Sequence, residues 1–429
     1  MVKRVILKSC LMVAGLLLLL TSCRKEPLDL VNPNSRQCMS FNQQFESVWE
    51  GMDQSYMFWE RDTVDWDARY DECKSIFKQF DSRPNLVTKD EYQQAWDKVF
   101  EGLLDHHLYA QLWNPKGNYY VSVSPGKNDY SHWTDIYAQL AALRIQPGIT
   151  NFVGTNPTEK NPGMWFCLLP GKNAGKYIAY FRFTNFKFGT MHDYEEQGRL
   201  PNASQTLAPV HAFYGSRYYE GMQSGDQCWA NNDMVESLIL DVRGNGGGEL
   251  RDLSPLIGSL LNGDCQVGYT RVKNGFGRLD YSGWVPFVIP RPEMHLSTEK
   301  PIVILSDINS VSCSEITTLL IKSQPNGTFI GERTYGATCA LWPNSNVSHD
   351  LFYNGCFGDY DLHKDGYPKY PNTYAYYVYT SNVDMVTSDY KSLEGIGVQP
   401  DIEVLYDADK LYQGVDTQLE KALEVLRGE

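Results

Sequence analysis

The sequence lacks the patterns that mark several common kinds of protein. Its N-terminal apolar run, "LMVAGLLLLL", is ten residues long from Leu11, which is too short to span a bilayer as a helix. None of the ten cysteines forms a CxxC pair or stands at zinc-finger distance from a histidine. No internal repeat and no low-complexity tract occurs. The sequence therefore does not indicate a zinc-finger protein, a repeat protein or a membrane span formed by this run.

An excess of positive charge is also missing. The formal net charge is −14, and it becomes −17 without the first 22 residues, which carry three basic residues and no acid. A surface of this sign repels phosphate backbones and anionic lipids, so a nucleic-acid partner is not expected. With 42% apolar and 21% charged residues over 429 positions, the chain is long and apolar enough to fold, as about two or three units.

The N-terminus is typical of an export signal. The basic start "MVKR" and the apolar run are followed by Leu20-Thr21-Ser22-Cys23, which resembles a bacterial lipobox. We expect a signal peptide over 1–22, acylation of Cys23 with a palmitate-type chain, and a polar tether over 23–38. The anchored protein would face the periplasm or the cell exterior, held to the membrane through its lipid only. A plain secretory signal is the alternative.

The remaining cysteines follow no regular spacing. Cys10 lies in the predicted signal and Cys23 at the predicted lipid site, which leaves eight. Outside the cytoplasm some of these could form disulfides, but the sequence does not indicate which. Buried free thiols are the simpler expectation.

Residues 39–105 show the periodicity of amphipathic helices. Apolar side chains recur at steps of three and four residues, which places them on one helix face each. We expect them to form the core of a small helical domain rather than a ligand site. The apolar positions are Phe41, Phe45, Val48, Trp49, Met52 and Tyr56, then Tyr92, Trp96, Val99, Phe100 and Leu103.

From about residue 106 onward the pattern changes to short strands and turns. "KYIAYFRFTNF" (Lys176–Phe186) alternates like a half-buried strand, whereas "SLILDV" (Ser237–Val242) and "PIVILS" (Pro301–Ser306) are continuous apolar runs. The last two are each followed by a turn and a helical pattern, "LSPLIGSLL" and "SEITTLLIKS". This order predicts an α/β core over 106–429 that ends in a C-terminal helix, with Thr417 and Glu420 as a capping box.

Two turns in this core carry residues suited to catalysis. "DVRGNGGGEL" (Asp241–Leu250) leaves a buried strand, and its glycines let backbone N–H groups approach an anion closely. "NSVSCSEITTLL" (Asn309–Leu320) places serines at the start of a helix, whose N-terminus stabilises developing negative charge. A tight structural turn and an ordinary helix cap explain the two segments equally well when each is taken alone.

Taken in order, five segments resemble the tail-specific (C-terminal processing) peptidases and the related tricorn-core serine peptidases. The resemblance implies a ClpP/crotonase-like spiral core, and it extends from about Phe41 to the C-terminus. The segments are "LLDHHL" (Leu103–Leu108), "KYIAYFRFTNF", "LILDVRGNGGG", "NSVSCSEI" with "GERTYGA" (Gly331–Ala337), and "EGIGVQPDIEV" (Glu394–Val404).

The resemblance assigns roles to these residues position by position. Ser312 becomes the nucleophile, and the N–H of Cys313 becomes one donor to the oxyanion. The second donor is expected from Gly247, with Gly246 as the alternative. Ser310 and Ser314 become supporting residues.

The residue expected to act as general base differs from that of the tail-specific branch. That branch has a lysine where this sequence has Ala337, and Lys322 lies about three turns along the nucleophile's helix, directed away from the helix start. The tricorn-like branch uses a histidine, which corresponds to His107, with Glu394 as its orienting acid. A serine precedes the histidine in that branch, whereas His106 stands here, so the relay must differ in detail.

These roles imply a membrane-anchored serine endopeptidase that acts on protein or peptide substrates without a metal or organic cofactor. A catalytically inactive relative that still binds peptides is the alternative. A glycan-binding or glycan-cleaving lipoprotein, suggested by the 28 tyrosines, is a weaker one because no glycosidase-like carboxylate pair stands out. No carboxylate-binding PDZ loop is found over 108–175, so recognition of a free C-terminus is not implied.

Overall fold

The computed structural model describes ten segments of the chain. Its residues are 37–126, 137–142, 151–153, 163–200, 202–219, 228–275, 277–293, 295–296, 299–339 and 355–429. The signal peptide and nearly all of the tether predicted for residues 1–38 lie outside the described residues.

Three helices come first along the chain, two strands follow, and helices and strands are mixed from there onward. The helices are α1 Phe41–Ser55, α2 Trp66–Ser82, α3 Lys89–Phe100, α4 Tyr137–Ala142, α5 Phe188–Glu196, α6 Ala203–Thr206, α7 Ala208–Tyr214, α8 Cys313–Lys322, α9 Tyr360–Asp365, α10 Ala408–Tyr412 and α11 Thr417–Arg427. The strands are β1 Tyr109–Asn114, β2 Tyr119–Val123, β3 Asn151–Val153, β4 Met164–Pro170, β5 Tyr177–Phe183, β6 Val235–Asp241, β7 Cys265–Val272, β8 Val285–Ile289, β9 Ile302–Ser306, β10 Gly327–Gly331, β11 Cys356–Gly358, β12 Tyr376–Tyr379, β13 Val383–Thr387 and β14 Ile402–Glu403.

The first three helices form where capping residues and apolar periodicity coincide. Ser40 caps α1 and Asp65 caps α2. Thr88 and Glu91 form a capping box at α3, which satisfies two of the N–H groups that a helix start leaves open. The predicted apolar faces of α1 and α3 are buried, except that Trp49 is only half-buried. They share one apolar cluster with strand residues such as Phe181 and Leu240.

The central sheet has seven strands in the order β14-β10-β9-β6-β5-β4-β3. Pairing is parallel from β14 through β5 and antiparallel for β5-β4 and β4-β3. Parallel strands present their carboxyl ends at the same edge, so the turns after β6, β9 and β10 lie together. The α/β class preceded by helices is confirmed.

Two smaller sheets flank this core. One has the order β11-β12-β1-β2, and the other the order β13-β7-β8. Strand β1 follows directly on residues 105–108, so the four-stranded sheet supports the segment that carries His107.

Three local expectations differ from the structure. Strand β5 is buried along almost its whole length rather than alternating, because it lies inside the sheet between β4 and β6. The helix expected over 253–261 is irregular and not a continuous α-helix: a 3₁₀ turn Leu250–Asp252, a π-helical turn Leu253–Ile257 and a 3₁₀ turn Gly258–Leu260 follow one another around Pro255, which has no N–H to donate. Helix α11 is capped by Asp416, whose side chain accepts from Leu419 N, and not by Thr417.

The last helix covers one face of the central sheet. Leu419, Ala422 and Leu423 of α11 pack in one apolar cluster with Ile239 and Val303. Along the described ranges, each helix is too short or too polar to cross a membrane.

Candidate active site

Ser312 occupies a strained position between β9 and α8. Its φ of +59° and ψ of −117° lie in a region that residues with side chains rarely adopt, and such strain persists only where the surroundings impose it. Here the two neighbouring serines impose it. The Ser310 hydroxyl donates to Val242 O at 2.8 Å, and the Ser314 hydroxyl donates to Asn245 O at 2.9 Å. Ser312 is thereby held against the end of β6.

The glycine turn lies directly against this serine. A Cβ on Gly247 would stand 2.7 Å from the Ser312 Cβ, and the φ of Gly247 is +87°. A Cβ on Gly248 would stand 2.0 Å from Phe186 O. A Cβ on Gly246 would meet no atom within 4 Å. Only glycine therefore fits at 247 and 248, whereas position 246 has room for a side chain.

The N–H groups beside Ser312 differ in their hydrogen bonding. The Gly247 N–H, which is the predicted oxyanion donor, donates to Asn245 Oδ1 at 2.9 Å. Within the described ranges, the N–H groups of Cys313, Gly246 and Gly248 have no acceptor. The structure thus leaves the predicted Cys313 donor open, while the Gly247 N–H would have to leave Asn245 to bind an oxyanion.

Glu315, which the sequence reasoning did not single out, ties the serine to a second loop. Its buried carboxylate accepts from Ser312 N at 3.0 Å, Thr334 Oγ1 at 2.6 Å, Gly336 N at 2.7 Å and Ala337 N at 2.7 Å. Burial raises the pKa of Glu315 to about 6, against the effect of these donors. The sequence feature that could have identified Glu315 is the Ser-Glu pair, whose glutamate follows the nucleophile by three residues.

His107 is held by its backbone and not by its ring. The His107 N–H donates to Asp105 Oδ1 at 2.8 Å, whereas both ring nitrogens are buried without a hydrogen-bond partner. Burial lowers the pKa of His107, and Asp105 only partly offsets this. The ring is therefore favoured in its neutral form, which a general base requires.

Glu394 lies beside His107 but bonds elsewhere. Its Oε1 accepts from His106 N at 3.0 Å, and its Oε2 accepts from Cys339 N at 3.0 Å. Burial, together with the nearby Asp105 carboxylate, raises the pKa of Glu394 well above its usual value. Two backbone N–H groups, one from each neighbouring loop, thus fix this carboxylate.

The structure brings the predicted residues into two groups. Ser312, Gly247 and Cys313 form one group, and His107 with Glu394 forms the other. Glu315 bonds to Gly336 and Ala337, and the Gly336 O accepts from Gly395 N at 2.7 Å, which connects the two groups. No hydrogen bond joins the His107 ring to Ser312 or to Glu394 in this state. Catalytic hydrogen bonds are often long before substrate binds.

Asp105, His107 and Glu394 could also be considered as metal ligands. One ligand atom from each lies within 4.8 Å of the others. However, Asp105 Oδ1 accepts from His107 N and the Ser381 hydroxyl, and Asp105 Oδ2 accepts from the Thr380 hydroxyl and Ser381 N. A metal ion would have to displace these bonds, so Asp105 is fitted to hold the backbone of this segment.

Two further side chains have structural partners. Lys322, expected to point away from the start of the nucleophile's helix, pairs with Asp401 at the far end of α8. Arg243 lies in buried ion pairs with Asp241 at 2.6 Å and Asp416 at 2.9 Å.

Comparisons with known proteins agree with this geometry. Residues 216–404 match the family model described as peptidase family S41. A tricorn protease homolog of Saccharolobus solfataricus is 27% identical over 207 residues, which is 48% of this chain and 16% of that protein. The chain therefore spans only a small part of that curated relative.

Solved structures show the same fold. A putative peptidase from Parabacteroides merdae superposes with a TM-score of 0.58 at 18% identity, covering 90% of this chain and 96% of that one. Mature CPAF in complex with lactacystin gives 0.54 at 13% identity, with coverages of 91% and 98%. The motifs, the fold and the match over residues 216–404 together confirm the predicted resemblance to the tail-specific and tricorn-core serine peptidases.

Proposed function

We propose that this chain hydrolyses peptide bonds of protein or peptide substrates with Ser312 as nucleophile. The observation that carries the proposal is the strained Ser312 backbone at the start of α8, beside the open Cys313 N–H and against the glycine turn. A hydroxyl placed this way attacks a carbonyl whose developing charge meets backbone N–H groups. The helix N-terminus adds to the stabilisation of that charge.

In this proposal His107 takes the Ser312 proton and returns it to the leaving amine. Its ring nitrogens hold no other partner, so a ring movement towards Ser312 breaks no hydrogen bond. Glu394 lies within 4.8 Å of a His107 nitrogen and orients the ring when that movement occurs. The second oxyanion donor comes from the glycine turn. It is either the Gly247 N–H, after release from Asn245, or the Gly246 N–H.

A serine-reactive fluorophosphonate tests the nucleophile. Ser312→Ala should abolish labelling and lower peptide hydrolysis by ~10⁴-fold or more, since the nucleophile acts as a unit with its base. Ser323→Ala is the matched control, because Ser323 lies at the opposite end of α8, where its hydroxyl donates to Leu320 O and also contacts the side chains of Gln324 and Cys265. Equal labelling of wild type and Ser312→Ala would refute the proposal.

A catalytically silent peptide-binding protein is the second candidate. It is favoured by Ala337 at the lysine position and by the missing hydrogen bond between His107 and Ser312. Peptide affinity without turnover, unchanged in His107→Ala, would support it over the peptidase.

We also propose that Cys23 carries the lipid anchor and that the folded part faces the periplasm or the cell exterior. The support is the sequence Leu20-Thr21-Ser22-Cys23 after the ten-residue apolar run. An alkyne-labelled fatty acid should be incorporated into the wild type and not into Cys23→Ala. Incorporation into both would place the lipid elsewhere.

A further inference from the structure

A buried ion network joins the first helices to the three-stranded sheet. Asp384 of β13 has no exposed side-chain surface, and it accepts from two guanidinium groups. Arg61, in the segment after α1, donates from Nη2 to Asp384 Oδ1. Arg271 of β7 donates from Nε to Asp384 Oδ2 at 3.0 Å, and its Nη1 pairs with Glu60 at 2.7 Å. We call Glu60, Arg61, Arg271 and Asp384 the Asp384 junction.

The Asp384 junction continues to Cys339. The Cys339 Sγ lies 3.8 Å from Asp384 Oδ1, and it accepts from Met385 N at 3.3 Å. Cys339 is completely buried and forms no disulfide. Asp384 and Met385 of β13 thus hold the Cys339 side chain from one side.

Cys339 in turn supports the candidate catalytic acid. Its backbone N–H donates to Glu394 Oε2 at 3.0 Å. The other Glu394 oxygen is bound by His106 N. A shift of Cys339 would therefore release one of the two N–H groups that fix the Glu394 carboxylate.

We propose that Arg61 and Asp384 are positioning residues, which hold Glu394 in place through Cys339. The role in catalysis rests on the proposed function, because Glu394 matters for activity only if it orients His107. The segment after α1 then belongs to the catalytic unit, although Arg61 is 333 residues away from Glu394 in sequence. Removing one partner of a buried ion pair leaves an uncompensated charge, so the junction should loosen when Arg61 is neutralised.

The alternative is that these ion pairs only dock the helices on the sheet. Arg278 supplies the matched control, because it lies in the β7–β8 connection and its side chain also forms ion pairs with helix residues. It pairs with Asp53, and with Asp67 at 2.7 Å. Its hydrogen bonds do not include Asp384, Cys339 or Glu394. A docking role alone predicts the same behaviour for both arginines.

The first measurement does not depend on catalysis. Hydrogen exchange of the Cys339 amide reports directly on its bond to Glu394. Arg61→Met and Asp384→Asn should speed this exchange by about tenfold, whereas Arg278→Met should leave it at the wild-type rate. Unchanged Cys339 exchange in Arg61→Met, or equal acceleration in Arg278→Met, would overturn the inference.

The second measurement separates positioning from docking by kinetics. Arg61→Met should lower kcat for a peptide substrate by about ten- to hundredfold with little change in KM, since misplacement of a catalytic group acts on the chemical step. Arg61→Lys should recover most of kcat, because Arg61 uses a single N–H to Asp384. A loss in KM alone, or no recovery by lysine, would contradict positioning. If Arg61→Met does not fold, Cys339→Ala, which keeps the N–H but removes the sulfur contact, should show the same loss in kcat.

The two measurements also distinguish this inference from the proposed function. Accelerated exchange of Cys339 in Arg61→Met, together with a wild type that neither hydrolyses peptides nor labels at Ser312, would refute the peptidase and retain the link to Glu394. Normal hydrolysis with unaltered Cys339 exchange in Arg61→Met would refute the link and retain the peptidase.

Discussion

At the scale of single residues, two neighbouring glycines of the turn after β6 have different surroundings. Gly247 has a positive φ and stands against the Ser312 Cβ, whereas Gly246 has neither constraint. Both were candidates for the second oxyanion donor. A side chain can therefore be added at position 246 but not at position 247.

Gly247→Ala should therefore reduce hydrolysis by about 10²-fold or more, because the added Cβ displaces Ser312 or the donor N–H. Gly246→Ala should retain activity within about threefold, because a Cβ at this position meets no atom within 4 Å and alanine keeps the N–H. Steady-state kinetics of both variants decide the assignment. A larger loss in Gly246→Ala than in Gly247→Ala would move the oxyanion site to residue 246.

A buried acid beneath the same turn predicts a pH dependence of stability. Asp252 accepts from Phe188 N and Gly189 N, both at 2.8 Å, yet burial raises the pKa of Asp252 to about 7. A raised folded pKa means that the folded state binds more protons between about pH 4 and pH 7. The contribution of Asp252 to the free energy of unfolding is therefore present at low pH and is lost as the pH rises through that window.

Asp252→Asn should remove this contribution. Its free energy of unfolding should fall less than that of the wild type between pH 4.5 and pH 8, as measured by urea denaturation. Glu315, whose pKa is raised to about 6, acts in the same direction and remains in both proteins. A steeper fall in Asp252→Asn than in the wild type would show the pKa shift to be wrong.

At the scale of elements, α8 and the loop after β10 are joined by one side chain. Glu315 receives the Thr334 hydroxyl and the N–H groups of Gly336 and Ala337. The loop that holds a lysine in tail-specific peptidases is thus shaped here by a carboxylate from the nucleophile's own helix. This explains how Ala337 can keep the loop's position without the lysine.

Glu315→Ala should lower the free energy of unfolding by about 3 kcal/mol, because several buried donors lose their acceptor. Activity should fall as well, since Ser312 N loses its bond to Glu315. Glu315→Gln is the matched variant, which keeps the shape and one carbonyl oxygen, and its loss should be smaller. Urea denaturation and peptide hydrolysis measure the two effects, and equal stability of Glu315→Ala and wild type would be the contrary result.

At the scale of the whole molecule, the last helix completes a network that starts beside the glycine turn. The Arg243 guanidinium is buried between Asp241 and Asp416, and it lies over the Tyr137 ring at 3.6 Å. Asp416 also caps α11, which covers the sheet through Leu419 and Leu423. The Arg243–Asp416 ion pair therefore links the docking of α11 to the placement of the turn.

Asp416→Ala should cost about 3 kcal/mol or more of unfolding free energy, because it leaves Arg243 short of a buried partner and removes the cap of α11. Asp409→Ala is the control, since Asp409 is exposed on α10. Thermal unfolding of both variants tests this, and similar shifts of Tm would count against the network.

The sequence predicted the parts of the site that local motifs define. The runs around residues 237–242 and 301–306, the glycine turn and the serine stretch are all local, and they indicated the buried strands and the turns that follow them. The donation of the Gly247 N–H to Asn245 depends on backbone geometry that no residue pattern specifies. The Asp384 junction joins residues 61, 271 and 384, and such long-range ion pairs need the folded structure.

The pairing of Arg243 with Asp416 also fixes an order of events during synthesis. Asp416 is added 173 residues after Arg243, so the glycine turn emerges long before the carboxylate that completes its ion pair. Until α11 docks, the segment after β6 carries a cation with only Asp241 to balance it inside the core. The newly made chain thus acquires its finished Ser312 surroundings only after α11 has been translated.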